Sequence, residues 1–274
     1  MRSYNRFLPL FLHILLWFQT AVEAVKGVPD LVEYRKPVSP KVGVELDYQL
    51  AKAGADTMIA GKPVSKGKMQ QRLIFMSHYD VPGTIPDVEL VKIAMDGYMD
   101  MLASAKQYSI HKDDLPSVMT VFHWGKEIIV ASSQKGGQAI TYTRDNDVST
   151  LVNECIKPAD KSNDAKCGEM SAAQLFQKLH PKTPISSAEI VTVTVISDKR
   201  NNAFSTTEAD LKVWPPCSKE TGGGCDKIIG PGKVIAREVK PEVWNDRKVT
   251  DVTYSKTGWV ETPMQVLSFA SPVQ

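Results

Sequence analysis

Cysteine is scarce in this chain: four residues among 274, at Cys155, Cys167, Cys217 and Cys225. Charge of one sign is lacking too. The 33 Lys and Arg against 31 Asp and Glu leave a net charge of +2, which gives no general attraction to nucleic acid or to a membrane surface. The basic cluster in "GKPVSKGKMQQR", with Lys62, Lys66, Lys68 and Arg72, has no interleaved aromatic residues and reads as a solvated loop. No Asn-x-Ser/Thr sequon occurs, so N-glycosylation is not indicated. Beyond the N-terminus no apolar run approaches the ~20 residues that a membrane-spanning helix needs. Repeats, a Gly-x-Ser-x-Gly elbow, a Walker loop around "KGGQ" and a His-Glu-x-x-His helix are all missing, which removes several hydrolase and nucleotidase classes.

What is present begins with Arg2 and Arg6 flanking the apolar run Phe7 to Phe18, followed by Ala21-Val22-Glu23-Ala24. A basic n-region, a short h-region and small residues at a cleavage point predict a signal peptide over 1–24 and a secreted, extracellular mature protein; the alternative is an uncleaved anchor. In a secreted chain an even cysteine count makes disulfides the default expectation, with three possible connectivities. Residues 25–86 carry Pro29, Pro37, Pro40, Pro63, Pro82 and Pro86 and read as an irregular N-terminal extension in which "RLIFMSHYD" forms one short strand. His78 and Asp80 in that strand have the spacing of a ligand pair. No third partner is visible nearby, so an ordinary strand with outward polar positions is expected.

From Asp87 onward the periodicities change. Leu90, Ile93, Ala94, Gly97, Tyr98, Met101, Leu102 and Ala105 recur at three- and four-residue steps and predict an amphipathic helix with Asp87 as N-cap and its Met residues in the core. "SVMTVFHWGKEIIVASS" predicts a β-hairpin turning at "WGKE", with "QAITYT" as a possible edge strand. His123 in it is expected to be structural. A second helix follows from Cys167, carrying Ala172, Leu175, Phe176 and Leu179 on one face, ended by Pro181, with His180 at its C-terminus. "SAEIVTVTVIS" has the β-branched composition of a buried central strand. A short helix around Cys225 and strands in "KVIAREV" and "KVTDVTYS" complete the order. Helices alternating with strands in this way predict an α/β fold, a three-layer α/β/α sandwich around a mixed sheet over residues 87–274.

The chemistry concentrates in "KCGEM" and "WPPCSKETGGGC". Three thiolates, Cys167, Cys217 and Cys225, could hold one metal and leave a coordination position open, with Glu169 beside the site to move protons. Cys167 and Cys225 sit at predicted helix N-termini, where the macrodipole favours thiolate. Cys167-Gly168-Glu169 followed by Pro216-Cys217 and Cys225 resembles the zinc-dependent cytidine-deaminase-like superfamily, and is nearest to its secreted, toxin-type branch. The family pattern is His/Cys-x-Glu, then Pro-Cys-x-x-Cys. Here seven residues, "SKETGGG", separate the last two cysteines where the family has two, and the glycines let this segment loop out.

The resemblance implies Zn2+ on Cys167, Cys217 and Cys225, and Glu169 as proton shuttle in hydrolysis of an exocyclic amine on a nucleobase, with ammonia leaving. Neutral charge favours a base, nucleoside or nucleotide, or a base flipped from single-stranded nucleic acid, over a duplex. By family analogy, secretion suggests a toxin or host-directed effector. The competing expectation is a secreted, non-catalytic effector or binding protein stapled by Cys155–Cys167 and Cys217–Cys225 disulfides. Under that reading Glu169 is only a favourable acid in a helix's first turn.

Overall fold

Strands form where β-branched and aromatic residues cluster, and helices where apolar residues recur with helical spacing. In the computed structural model the described residues are 29–56, 71–137, 148, 166–186, 188–195, 203–215, 229, 237–238 and 251–263. The expected signal peptide, Lys62, Lys66 and Lys68, "QAITYT", and Cys155, Cys217 and Cys225 lie outside them. The element order is β1 (Glu45–Leu46), α1 (Tyr48–Asp56), β2 (Phe75–Asp80), α2 (Asp87–Gln107), β3 (Val118–Trp124), β4 (Glu127–Ser132), α3 (Gly168–Leu179), β5 (Glu189–Val195), β6 (Leu211–Val213), β7 (Arg237–Glu238) and β8 (Val260–Glu261).

The strands make one sheet in the order β1-β2-β4-β3-β5-β6, with β7 on β5 and β8 on β2. Its pairs are antiparallel except β5–β7, so the sheet is mixed. Helix α2 covers one face, over Met119, Val121, Ile128, Val130, Val191 and Val193. Helix α3 covers the other, over Met76, Phe122, Ile129, Ala131 and Ile190. The period of two along each strand sends alternate side chains to the two helical layers, which gives the α/β/α sandwich.

Two expectations about the sheet are corrected. The segment before Asp87 is not an appendage to the sheet: β2 lies inside it, between β4 on one side and β1 and β8 on the other, and Val42, Val44 and Leu46 are fully buried. Among the described residues Pro82 and Pro86 stand between β2 and α2, outside the β2 ladder, and so leave it intact. In "KVTDVTYS" the described part, residues 251–255, is not a strand. Tyr254 and Val252 pack onto the α2 layer instead, and the Tyr254 hydroxyl donates to Asp96 at 3.0 Å.

The predicted stripe of α2 is buried throughout, and each Leu, Ile or Met side chain there contributes about 1.5–3 kcal/mol of burial. Its N-cap is Pro86, and Asp87 stands in the first turn. The burial extends beyond the stripe. Asp96 receives Lys41 and Lys92 Nζ at 2.8 and 2.6 Å, and Asp100 accepts the backbone N–H groups of Lys41 and Val42 at 2.9 and 2.8 Å. These carboxylates fasten the chain before β1 to the polar flank of α2. At Gly97 an added Cβ would meet Val130 Cγ1 at 2.7 Å, so only glycine lets the helix lie this close to the sheet. Among the described residues no helix is long and apolar enough to cross a membrane.

Asp47, ahead of α1, accepts the Leu50 N–H at 3.0 Å on Oδ1, while its buried Oδ2 has no partner among the described residues. Burial lifts its carboxyl to about 6, against the pull of the Leu50 hydrogen bond and the Lys178 charge. Between the ordinary value near 3.8 and about 6 the folded chain therefore holds a proton that the unfolded chain has lost. Stability falls as pH rises through that window, by about 2–3 kcal/mol from this group. Asp47→Asn keeps the acceptor for Leu50 and removes the charge. Urea unfolding of both proteins from pH 3.5 to 7.5 should show the variant gaining on the parent across about pH 4–6; parallel curves would contradict this.

Candidate functional site

The face under α3 is organised in rungs set by strand register. One rung joins Met76, Ala131, Thr120 and Thr192; the next joins His78, Ile129, Phe122 and Ile190; the last joins Asp80, Glu127 and Trp124. Helix α3 runs across them, with Gly168 on Thr120 and Ala131 and its C-terminal His180 against Trp124 and Glu127. Phe176 lies between these ends, 5.1 and 5.2 Å from the rings of Phe122 and Trp124.

At the N-terminal end Cys167 is the N-cap residue, in extended conformation, buried, and its side chain does not cap the helix. Glu169 is 3% exposed in the first turn. Its Oε1 accepts the Thr192 hydroxyl at 3.0 Å, and the Thr120 and Thr192 hydroxyls are 2.7 Å apart. A carboxylate can only accept. Thr192 therefore gives its proton to Glu169 and receives that of Thr120, and the two strands hold the carboxylate in place. The Thr192 carbonyl in turn accepts the Trp214 N–H at 2.7 Å, three residues before Cys217 in the chain. Ile229, four residues after Cys225, is buried in the same apolar cluster as Cys167 and Met170.

The C-terminal end holds a second constellation. His78 Nε2 is 2.7 Å from Glu127 Oε1, and His180 Nε2 is 2.6 Å from Glu127 Oε2. One ligand atom each from His78, Asp80 and Glu127 lies within 4.8 Å of the others, a group that could hold a metal ion. His78 and Glu127 are buried and Asp80 is exposed. Burial works against the charge on Glu127, but the hydrogen bonds and charges of His78 and His180 prevail and hold its carboxyl below the ordinary value. The pair His78 and Asp80 was visible in the sequence; Glu127 was the missing third partner. The available signal was an acidic residue just after the "GK" turn, facing a strand distant in sequence. His180 does stand at the helix C-terminus, and it also binds Glu127. His123 pairs with Glu189 at 3.2 Å, directly across β3–β5.

Gly168 is where helix and sheet touch at the first of these ends. An added Cβ would collide with Thr120 Oγ1 and sit 3.2 Å from the Ala131 carbonyl oxygen. Gly168→Ala should cost about 1–3 kcal/mol through overpacking, and Thr120→Ala in the same chain should recover part of that loss. A denaturant-unfolding double-mutant cycle reads this coupling; strictly additive effects would refute the contact.

No family model matches this chain, and no curated protein and no solved structure matches it either.

Proposed function

We propose that the chain is a zinc-dependent hydrolase that removes the exocyclic amine of a nucleobase, in a nucleoside, a nucleotide or single-stranded nucleic acid. The observation that carries this reading is Glu169: a buried carboxylate two residues past Cys167, in the first turn of α3, with its Oε1 held by Thr192. The order of α2, the β3–β4 hairpin, α3 and β5 supports it, because the same order accompanies the sequence motif in the deaminase-like pattern.

Of the three thiol donors, Cys167 fits a ligand's part: it is buried at a helix N-terminus, where the macrodipole favours thiolate. Cys217 and Cys225 lie outside the described residues. Zinc on the three thiolates would supply the Lewis acidity that brings the pKa of a water towards neutrality. Glu169 would take the proton that the attacking water releases and deliver it to the exocyclic nitrogen. As the new C–O bond forms, the C–N bond breaks and the amine leaves as ammonia. Thr192 acts as a positioning residue, aiming the carboxylate through the donated hydrogen bond. Cys167, Met170 and Ile229 are buried together in one cluster at this end of the helix. On the Arg2–Ala24 pattern we infer a secreted enzyme, which makes an effector or toxin role part of the same proposal.

Ammonia release across nucleosides, nucleotides and single-stranded DNA and RNA tests the reading, together with elemental analysis and thiol counting. Glu169→Gln should keep the fold and the zinc at the cysteines while losing at least about 100-fold in kcat; Cys217→Ala should lose that zinc as well. Thr192→Val should leave KM nearly unchanged and lower kcat, because the carboxylate loses the donor that aims it. A zinc-free chain with every cysteine oxidised would instead establish the disulfide-stapled alternative.

A further inference from the structure

The cluster at the other end of α3 has no part in that reaction. From residue 169 to residue 180 the helix path is about 16 Å at 1.5 Å per residue. His78 and Asp80 stand two apart on β2 and so share a face, and Glu127 is the direct cross-strand partner of Asp80. The three ligand groups are therefore brought together by sheet register, a rigid frame. His180 comes from α3 and binds the second oxygen of Glu127. In protein metal sites such a partner fixes the orientation of a ligating carboxylate.

A second, independent feature points to a ligand. His78 is 6% exposed, yet its Nδ1 has no hydrogen-bond partner among the described residues. Nε2 of the same ring is held by Glu127 Oε1 at 2.7 Å, so Nδ1 is the nitrogen left for an ion, and coordination there would offset the desolvation cost of leaving it unmet. The exposed position of Asp80 leaves one side of the group open to water and to entry of an ion.

We propose that His78, Asp80 and Glu127 form a divalent transition-metal site, with His180 orienting Glu127, separate from the cysteine-based centre. One imidazole with two carboxylates favours Zn2+ and its neighbours over Mg2+ or Ca2+, which take all-oxygen sites. Water would fill the remaining positions. Bound metal would clasp β2 to β4 and, through His180, to α3, joining the segment before α2 to the centre of the sheet.

The test is Zn2+ titration of the full chain after chelator treatment, comparing the parent with Asp80→Asn, Glu127→Gln and Cys217→Ala. Asp80 is exposed, so its variant should keep the fold, and circular dichroism checks this for all of them. Asp80→Asn and Glu127→Gln should each bind one Zn2+ fewer than the parent, or bind it at least about tenfold more weakly. Cys217→Ala should retain this site. Mg2+ in place of Zn2+ should bind at least about tenfold more weakly. Folded Asp80→Asn and Glu127→Gln proteins with the parent's stoichiometry and affinity would overturn the proposal, as would equal binding of Mg2+. Loss of Zn2+ in Cys217→Ala alone would also overturn it, while leaving the cysteine centre standing. Unchanged Zn2+ binding in Cys217→Ala, with loss in the other two, would support this site and count against the deaminase reading.

Discussion

The pairing of β2 with β4 is the constraint on which most of the structure depends. Five cross-strand pairs, from Met76–Ala131 to Asp80–Glu127, bring a strand from before α2 into the sheet next to the hairpin. Once β2 is there, its outer edge serves two short strands, β1 beside Phe75 and Met76 and β8 beside Tyr79 and Asp80. The same register decides what lies under each helix. A slip of one residue would turn His78 and Asp80 toward α2 and put Tyr79 under α3. Burial of Phe75 and Tyr79 with the α2 layer and of Met76 under α3 makes that slip costly.

The two helical layers are held by different means. Helix α2 is fastened through its polar flank, where Asp96 and Asp100 tie down the chain around Lys41 and Val42 and, through Tyr254, a segment near the C-terminus. Lys92 extends the network to Glu208 at 2.8 Å. Breaking the buried Lys92–Asp96 pair would leave an uncompensated charge, whereas Lys41 stays half exposed to water. Helix α3 has an apolar middle, Phe176 against Phe122 and Trp124, and polar groups at its two ends. Glu169 stands at one end of it and His180 at the other. Glycine allows both helices to press on the sheet, at Gly97 for α2 and Gly168 for α3.

Much of this was legible in local pattern. The three- and four-residue recurrence from Leu90 to Ala105, the β-branched run of "EIVTVTV" and the "WGKE" turn specify α2, β5 and the β3–β4 hairpin, because side-chain period is a property of the chain's own geometry. Cys167 and Glu169 could be placed together because both fall at one helix start, within a single turn. Proline content, in contrast, marked residues 25–86 as an extension, since breakers between elements look the same as breakers within disordered chain until the partner strand is known.

Local sequence was enough for the elements, for the alternation that sends each strand's side chains to two layers, and for the grouping of Cys167 with Glu169, all of which depend on neighbours within a few residues. Folding of the whole chain was needed to bring Thr192 to Glu169, Glu127 to the pair His78 and Asp80, and His180 to the same carboxylate. Those groups are separated by 23, 49 and 53 residues along the chain. Their meeting depends on strand order and register, which arise from burying two apolar faces at once and leave no mark in any short stretch of sequence.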